Sequence, residues 1–451
     1  MNENADIVGV ENEILDQYIN DPNPRPWIIA FSGGKDSTTL LQLVWNALKK
    51  LEPESRKRDI HVVCNNTLVE NPIILSYVKK QLKLIGDAVI EQSMPITLEH
   101  TIPSLNDTFW VNLLGRGYVA PNIKFRWCTE RLKIRPTSKY IQDKVSFHGE
   151  AIILLGSRRA ESNTRARSLE RHANKGRRLS KYGLPGTYSY SPLKDISTQQ
   201  VWWYLATVES PWHSNNHDLV HLYRNASDNN DCPLIIDKST PPCGKSRFGC
   251  WVCTVTRSDK TMEGLINCGE NWMRPLLEFR NMLAKTIDRD NPNYDPRTYR
   301  MPVRRNYQEG IGPYWPKWRK YFLQRLLETE AEIRKVQPDI RLITSQELVT
   351  IQVIWERDFI YEYNIADIHD QVYRHGGEFE EIAKNVRKEN QLLNEACIKN
   401  ESDYELIKNL LRAQKNRLIL SNRKGLRKDI EHVLEEYLFP TFTDVYRKGN
   451  N

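Results

Sequence analysis

Between residues 25 and 160 the chain alternates short apolar runs with longer stretches patterned at three- and four-residue spacing. Trp27-Ile28-Ile29-Ala30-Phe31 is a continuous apolar run, bounded by Pro26 and by Ser32-Gly33-Gly34, and it predicts a buried strand. Residues 37–50 follow with Leu40, Leu41, Val44 and Leu48 on one face, the period of a helix. The pattern then recurs: 60–64 as strand, 72–85 as helix, 88–92 as strand, and 151–156 as a further apolar run. Strands alternating with helices predict an α/β fold, a mainly parallel sheet covered on both faces. This domain is placed at 25–230, after an N-terminal extension of 1–24. Residues 231–290 lose the periodicity and gather cysteines and turn formers, which predicts a small cysteine-rich lobe held by metal. Apolar positions at helical spacing return in 318–336 and 403–420, so 291–451 reads as a helical C-terminal region.

Composition narrows the class. A chain of 451 residues with 39% hydrophobic and 27% charged residues fits a soluble protein of two or three domains. No apolar run approaches the roughly 18–20 residues of a membrane span. The acidic stretch 1–21 has no apolar signal core, so the expected compartment is the cytoplasm, without membrane contact. The net charge of +8 is compatible with nucleic acid or anionic substrates and proves neither. Eight cysteines in a reducing compartment argue against a disulfide framework.

The most informative stretch is Phe31-Ser32-Gly33-Gly34-Lys35-Asp36-Ser37. It lies between a strand and a helix, where glycines let backbone amides approach an anion and the helix start adds unpaired N–H groups. Ser32 and Ser37 offer hydroxyls, Lys35 adds charge, and Asp36 caps the helix or reaches Mg²⁺. The spacing is not that of a Walker A loop. It resembles the Ser-Gly-Gly-x-Asp-Ser loop of the ATP pyrophosphatase superfamily (adenine nucleotide alpha hydrolase-like), which binds the β,γ-diphosphate of ATP and releases pyrophosphate. A plain Ser/Gly turn capping a helix is the structural alternative.

Two further loops follow strands. Asn65-Asn66-Thr67-Leu68-Val69-Glu70-Asn71-Pro72 resembles the Asp-Thr-Gly-x-x-x-Pro-Glu loop of phosphoadenylylsulfate (PAPS) reductases, with Asn66 where an Asp would stand. Leu155-Gly156-Ser157-Arg158-Arg159-Ala160-Glu161-Ser162 looks like the Gly-x-Arg-x-x-Glu-Ser motif of the same reductases. There Gly156 permits a close turn, and Arg158 offers forked donors to phosphate. Arg165, Arg167, Arg171, Lys175, Arg177, Arg178 and Lys181 continue the basic run, as an anion-binding surface or a solvated loop. Tyr182, Tyr188 and Tyr190 just beyond are base-stacking or strand residues.

Cys128 sits among cations in Arg126-Trp127-Cys128-Thr129-Glu130-Arg131, while Cys243 and the pair Cys250-Trp251-Val252-Cys253 lie far downstream. Four such sulfurs suit zinc or a [4Fe–4S] cluster, and spacing alone does not choose. Cationic neighbours and the lack of His ligands lean toward the cluster. Cys64 and Cys397 read as inert, and Cys232 and Cys268 as spare thiols able to replace a ligand or carry a persulfide.

Trp110–Tyr118, Phe125–Ile134 and Ser246–Cys253 together resemble the DndC-type sulfurtransferases of bacterial DNA phosphorothioation (Dnd) systems, over roughly 27–253. That resemblance implies an ATP pyrophosphatase with a [4Fe–4S] cluster, a cysteine desulfurase that supplies sulfur, and companion Dnd proteins acting on DNA. The expected chemistry is transfer of AMP to a DNA phosphodiester and displacement of AMP by sulfur. The rivals are a sulfonucleotide (PAPS or adenylylsulfate) reductase, a tRNA thiolation enzyme, and a DNA-binding regulator with structural zinc.

Overall fold

The computed structural model describes residues 3–161, 178–225, 249–305, 308–358, 360, 363–374, 377–397, 401–419 and 425–438. They fall into two compact units, Met1–Phe109 with Pro121–Lys285, and Trp110–Ala120 with Thr286–Asn451.

The first unit is built on a six-stranded sheet ordered β3-β2-β1-β4-β6-β5. Its strands are β1 (Trp27–Ala30), β2 (Ile60–Asn65), β3 (Ile96–Thr101), β4 (Ala151–Leu154), β5 (Ser180–Lys181) and β6 (Thr187–Tyr190). All pairings are parallel except the edge pair β5–β6. Register sets Trp27 opposite Ile60 and Ile152, so alternate residues of the central strands share a face. Trp27, Ile29, Ile60, Val62, Ile152 and Leu154 pack on one side with Leu40, Val44, Ile74, Val201 and Leu219 from four helices. Ile28, Val63, Ala151 and Ile153 face the other way, against Ile141 of the helix Arg135–His148. Burial on both faces explains why these strands read as unbroken apolar runs.

Two expectations change. The residues 88–92 are not a strand: one helix spans Pro72–Glu91 and the next strand is β3. Ile74, Val78, Leu82, Ile85 and Ala88 are buried at helical spacing while Ile90 is 82% exposed, so the Ala-Val-Ile sequence is the end of an amphipathic helix. The first residues also do more than extend the domain. The helix Glu3–Asn20 buries Ile7, Ile14 and Tyr18 in the main core, with Tyr18 edge-on to Trp27 at 5.3 Å.

The second unit is helical, with helices Pro316–Ile333, Ser345–Arg357, Ile365–Tyr373, Glu380–Ala396, Glu401–Ile419 and Leu426–Leu438 and a two-stranded hairpin, β7 (Arg300–Arg305) and β8 (Gln308–Tyr314). Its core takes in 110–120. Trp355 Nε1 donates to Leu114 O at 2.8 Å, Trp110 Nε1 to Leu342 O at 2.6 Å, and the buried Arg319 to Gly115 O at 3.0 Å. No helix of the described residues is long and apolar enough to cross a membrane.

Candidate active site

Strand order reverses between β1 and β4, because β2 and β3 extend the sheet to one side of β1 while β4 and β6 extend it to the other. The loops leaving the carboxyl ends of β1 and β4 therefore diverge and leave a crevice, the usual ligand position in open α/β sheets. The first of these loops is Phe31 to Lys35; the second contains Gly156 and Arg158.

Gly33 takes φ +71°, and a Cβ there would lie 2.6 Å from Val78 Cγ2, so only glycine fits. Gly34 is extended and precedes the helix Lys35–Lys49 without any side-chain cap. The first amide of that helix, Lys35 N, donates to the Tyr223 hydroxyl at 3.3 Å, and no N-cap side chain satisfies those that follow. Ser37 Oγ ties the turn together: it accepts from Ser32 N at 3.2 Å, donates to Gly34 O at 3.0 Å and lies 3.2 Å from Ser32 Oγ. Both predicted hydroxyls meet at one point.

Asp36 is the electrostatic centre. Lys35 Nζ reaches its Oδ2 at 2.8 Å and Arg158 Nε its Oδ1 at 2.6 Å. Burial works to raise the Asp36 carboxyl, but the two cations outweigh it and hold the group below the usual carboxylate range. Arg158 comes close because Gly156 passes against the loop backbone; a Cβ on Gly156 would sit 2.9 Å from Asp36 O. The Arg158 side chain is only 1% exposed and its NH1 also donates to Ile196 O and Thr198 Oγ1. Its Nε and NH1 thus go to protein acceptors, beside the phosphate-fork role that its motif suggests. Lys35 is more open, with its ammonium 5.5 Å above the Tyr223 ring. Tyr188 and Tyr190 are β6 residues: Tyr190 donates to Glu13 Oε1 at 2.9 Å, and the Arg25 guanidinium lies 4.7 Å over Tyr188.

The loop after β2 carries the second cluster. Leu68 holds φ +65°, a backbone shape that favours the glycine of the reductase motif. Cys250 pairs with this loop as a bridge opposite Glu70, and Trp251 N donates to Val69 O at 3.0 Å. Cys250 Sγ lies 3.4 Å from Thr67 Oγ1, which also donates to Glu70 Oε1 at 2.8 Å. Burial, aided by Glu70, pushes the Cys250 thiol up to about 12, and burial and Cys253 raise Cys128. Partial covering works against the Lys133 ammonium, yet the acidic groups Cys250, Glu70, Cys128 and Cys253 around it raise its pKa. Three of the four predicted sulfurs thus lie within electrostatic reach of one lysine.

The donor chemistry fits a thiolate-bound centre: among the described residues Cys128, Cys250 and Cys253 all act on the Lys133 ammonium, and Cys250 sits on the loop after β2. Among the described residues no group of three or more such side chains is arranged to close around a metal ion. The fourth predicted ligand, Cys243, lies outside the described residues, as do Cys232, Ser162 and the basic residues from Arg165 to Arg177. Cys64 is buried, with burial and then Glu70 raising its thiol to about 11, whereas Cys268 is exposed. Sequence reasoning missed Tyr223, whose hydroxyl accepts from Lys35 N at 3.3 Å, and Arg280. The buried Arg280 donates to Cys253 O at 2.9 Å, Arg257 O at 2.9 Å and Thr256 O, and so clamps the loop after the cysteine pair. Neither stands near a recognisable motif.

The profile of the phosphoadenosine phosphosulfate reductase domain matches residues 26–256. An uncharacterized protein of Methanocaldococcus jannaschii is 28% identical over 188 residues, which is 42% of this chain. The chain spans about a third of the length of that curated relative, 33%. Among solved structures, the PAPS reductase of Candida auris in a phosphate complex has a TM-score of 0.28 at 12% identity, covering 44% of this chain and 78% of that one. The Candida glabrata FMN adenylyltransferase with FAD and inorganic pyrophosphate gives 0.30 at 13%, covering 54% and 75%. The family match takes in both loops of the crevice, the Thr67 turn and the Cys250–Cys253 pair, over more than half of the sequence, and on that ground the chain belongs to the phosphoadenosine phosphosulfate reductase domain family.

Proposed function

We propose that the protein is an ATP pyrophosphatase-type sulfurtransferase that adenylates a DNA backbone phosphate so that sulfur replaces one of its non-bridging oxygens. The observation that carries this reading is Asp36 held between Lys35 and Arg158 in a glycine turn at the point where the strand order reverses. Such a turn suits an intact triphosphate. The Ser32 and Ser37 hydroxyls, the helix-start amides and Lys35 meet the β,γ-diphosphate of MgATP. An oxygen of the acceptor phosphate attacks the α-phosphorus and the bond to the β-phosphate breaks. Fixed donors then stabilise the departing pyrophosphate without reorganising, the usual source of the largest rate gain. Sulfur delivered as a persulfide by a cysteine desulfurase, and reduced to the sulfide level by a dithiol that becomes a disulfide, next bonds to the adenylated phosphorus, and AMP leaves with the displaced oxygen. Cys128, Cys243, Cys250 and Cys253 would hold a [4Fe–4S] cluster, which when bound would supply electron or sulfide chemistry. DNA and other Dnd modification proteins are the partners this reading requires.

The test is product analysis with labelled ATP. AMP and pyrophosphate are expected, and Ser32→Ala or Asp36→Ala lowers turnover by about 10²–10³. ADP and orthophosphate as main products, or sulfite release from PAPS, overturn the reading.

A further inference from the structure

A short finger beside the cysteines combines two properties seldom found together. Asn122 and Phe125 close a tight turn, with Asn122 N donating to Phe125 O at 3.3 Å and Phe125 N to Asn122 O at 3.1 Å. The Asn122 side chain also accepts from Lys124 N and Phe125 N at 3.0 Å each, which stiffens the tip. At that tip Ile123 is 74% exposed and Phe125 46%; Ile134, farther along, is 48% exposed. Lys124 and Arg126 alternate with them. Across 121–135 the sequence has five cations, Lys124, Arg126, Arg131, Lys133 and Arg135, against one acid, Glu130.

The finger is anchored at both ends. Pro121 O accepts from Thr254 Oγ1 at 2.6 Å, next to Cys253, and Trp127 stacks on Phe109 at 5.3 Å, next to Cys128. Arg131 and Arg135 both pair with Asp107, fixing the following helix. What projects is therefore held in place by the same segments that carry the thiols.

We infer that this finger docks duplex DNA, its cations on phosphates and Ile123 and Phe125 wedged between base pairs. Exposed large apolar side chains normally mark a contact surface. Interleaved cations select a polyanion, and an apolar wedge flanked by cations is how proteins part and bend a base step from the minor groove. Ile123 has no aromatic face, so of the two tip residues Phe125 alone could stack on the bases of a single strand, whereas a wedge uses both. A carboxylate-rimmed protein is the competing occupant. The inference deepens the DNA reading given above and rests on it: the finger would bring the backbone to the rim of the thiolate cluster.

The experiment measures anisotropy of a labelled mixed-sequence duplex with the full chain across a salt series. Ile123→Ala/Phe125→Ala should bind roughly tenfold more weakly with an unchanged salt slope. Lys124→Ala/Arg126→Ala should lower that slope by about 2. Circular dichroism and the melting midpoint of both variants should match wild type, since the substitutions lie on an exposed turn. Wild-type binding with no loss in either variant overturns the finger and leaves the DNA reading standing. No wild-type binding to duplex even at low salt overturns both. Equal affinity and equal variant effects on single-stranded DNA overturn the wedge, as does variant-specific loss of a purified protein partner with DNA affinity intact.

Discussion

Lys35 and Arg158 both reach Asp36, but they are not equivalent. The Arg158 side chain is 1% exposed and serves two further acceptors, whereas Lys35 is 16% exposed and can turn toward a ligand. Arg158→Met should cost about 3 kcal/mol of stability, because it breaks a buried pair and strands its partners. Lys35→Met should cost under about 1 kcal/mol and show itself mainly as a raised KM for ATP. Denaturant midpoints and KM values for both variants check this division. His61 makes a second residue-scale case. It is 6% exposed on β2, and among the described residues neither ring nitrogen has a hydrogen-bond partner. Burial first, then Lys144, lowers its pKa. The unfolded chain, with His near about 6.5, takes up the proton more readily, so the protein loses stability as pH falls below that value toward the folded pKa. His61→Leu should remove this loss, and its advantage over wild type in melting midpoint should grow between about pH 7 and pH 5.

At the scale of elements, the loops after β1 and β4 depend on close backbone approach. Gly156→Ala would place a methyl 2.9 Å from Asp36 O, on backbone that has no freedom to retreat. The variant should fold, yet lose ATP binding by roughly tenfold or more, read by calorimetry, because Arg158 and Asp36 are pushed apart. Much of this architecture was legible beforehand. Strands buried on both faces announce themselves as apolar runs, and the six-residue loop declares its own turn. Ala88-Val89-Ile90 misled because a short apolar run has no period to distinguish strand from helix end. The segment Trp110–Tyr118 carries part of the family resemblance, but its buried tryptophan and leucines serve the helical unit. The Asp36–Arg158 pair could not be read either, since nothing in 122 residues of separation announces it. Arg280 was hidden for the same reason: its role is to satisfy backbone carbonyls, a task that leaves no motif.

For the whole molecule, the decisive measurement is metal content. Anaerobically purified protein should carry about four irons per chain, and Cys250→Ser or Cys253→Ser should remove the brown absorbance. Stoichiometric zinc without iron would replace the cluster with a structural centre. Cys250 meets Thr67 across 183 residues of chain. During synthesis, β1, β2 and the glycine turn emerge long before the cysteine pair exists. The crevice between the β1 and β4 loops can therefore form while the cysteine pair is still unmade. Cys250 then finds its seat only against a finished loop, so the thiol is most vulnerable to oxygen in the interval between leaving the ribosome and closing onto Thr67.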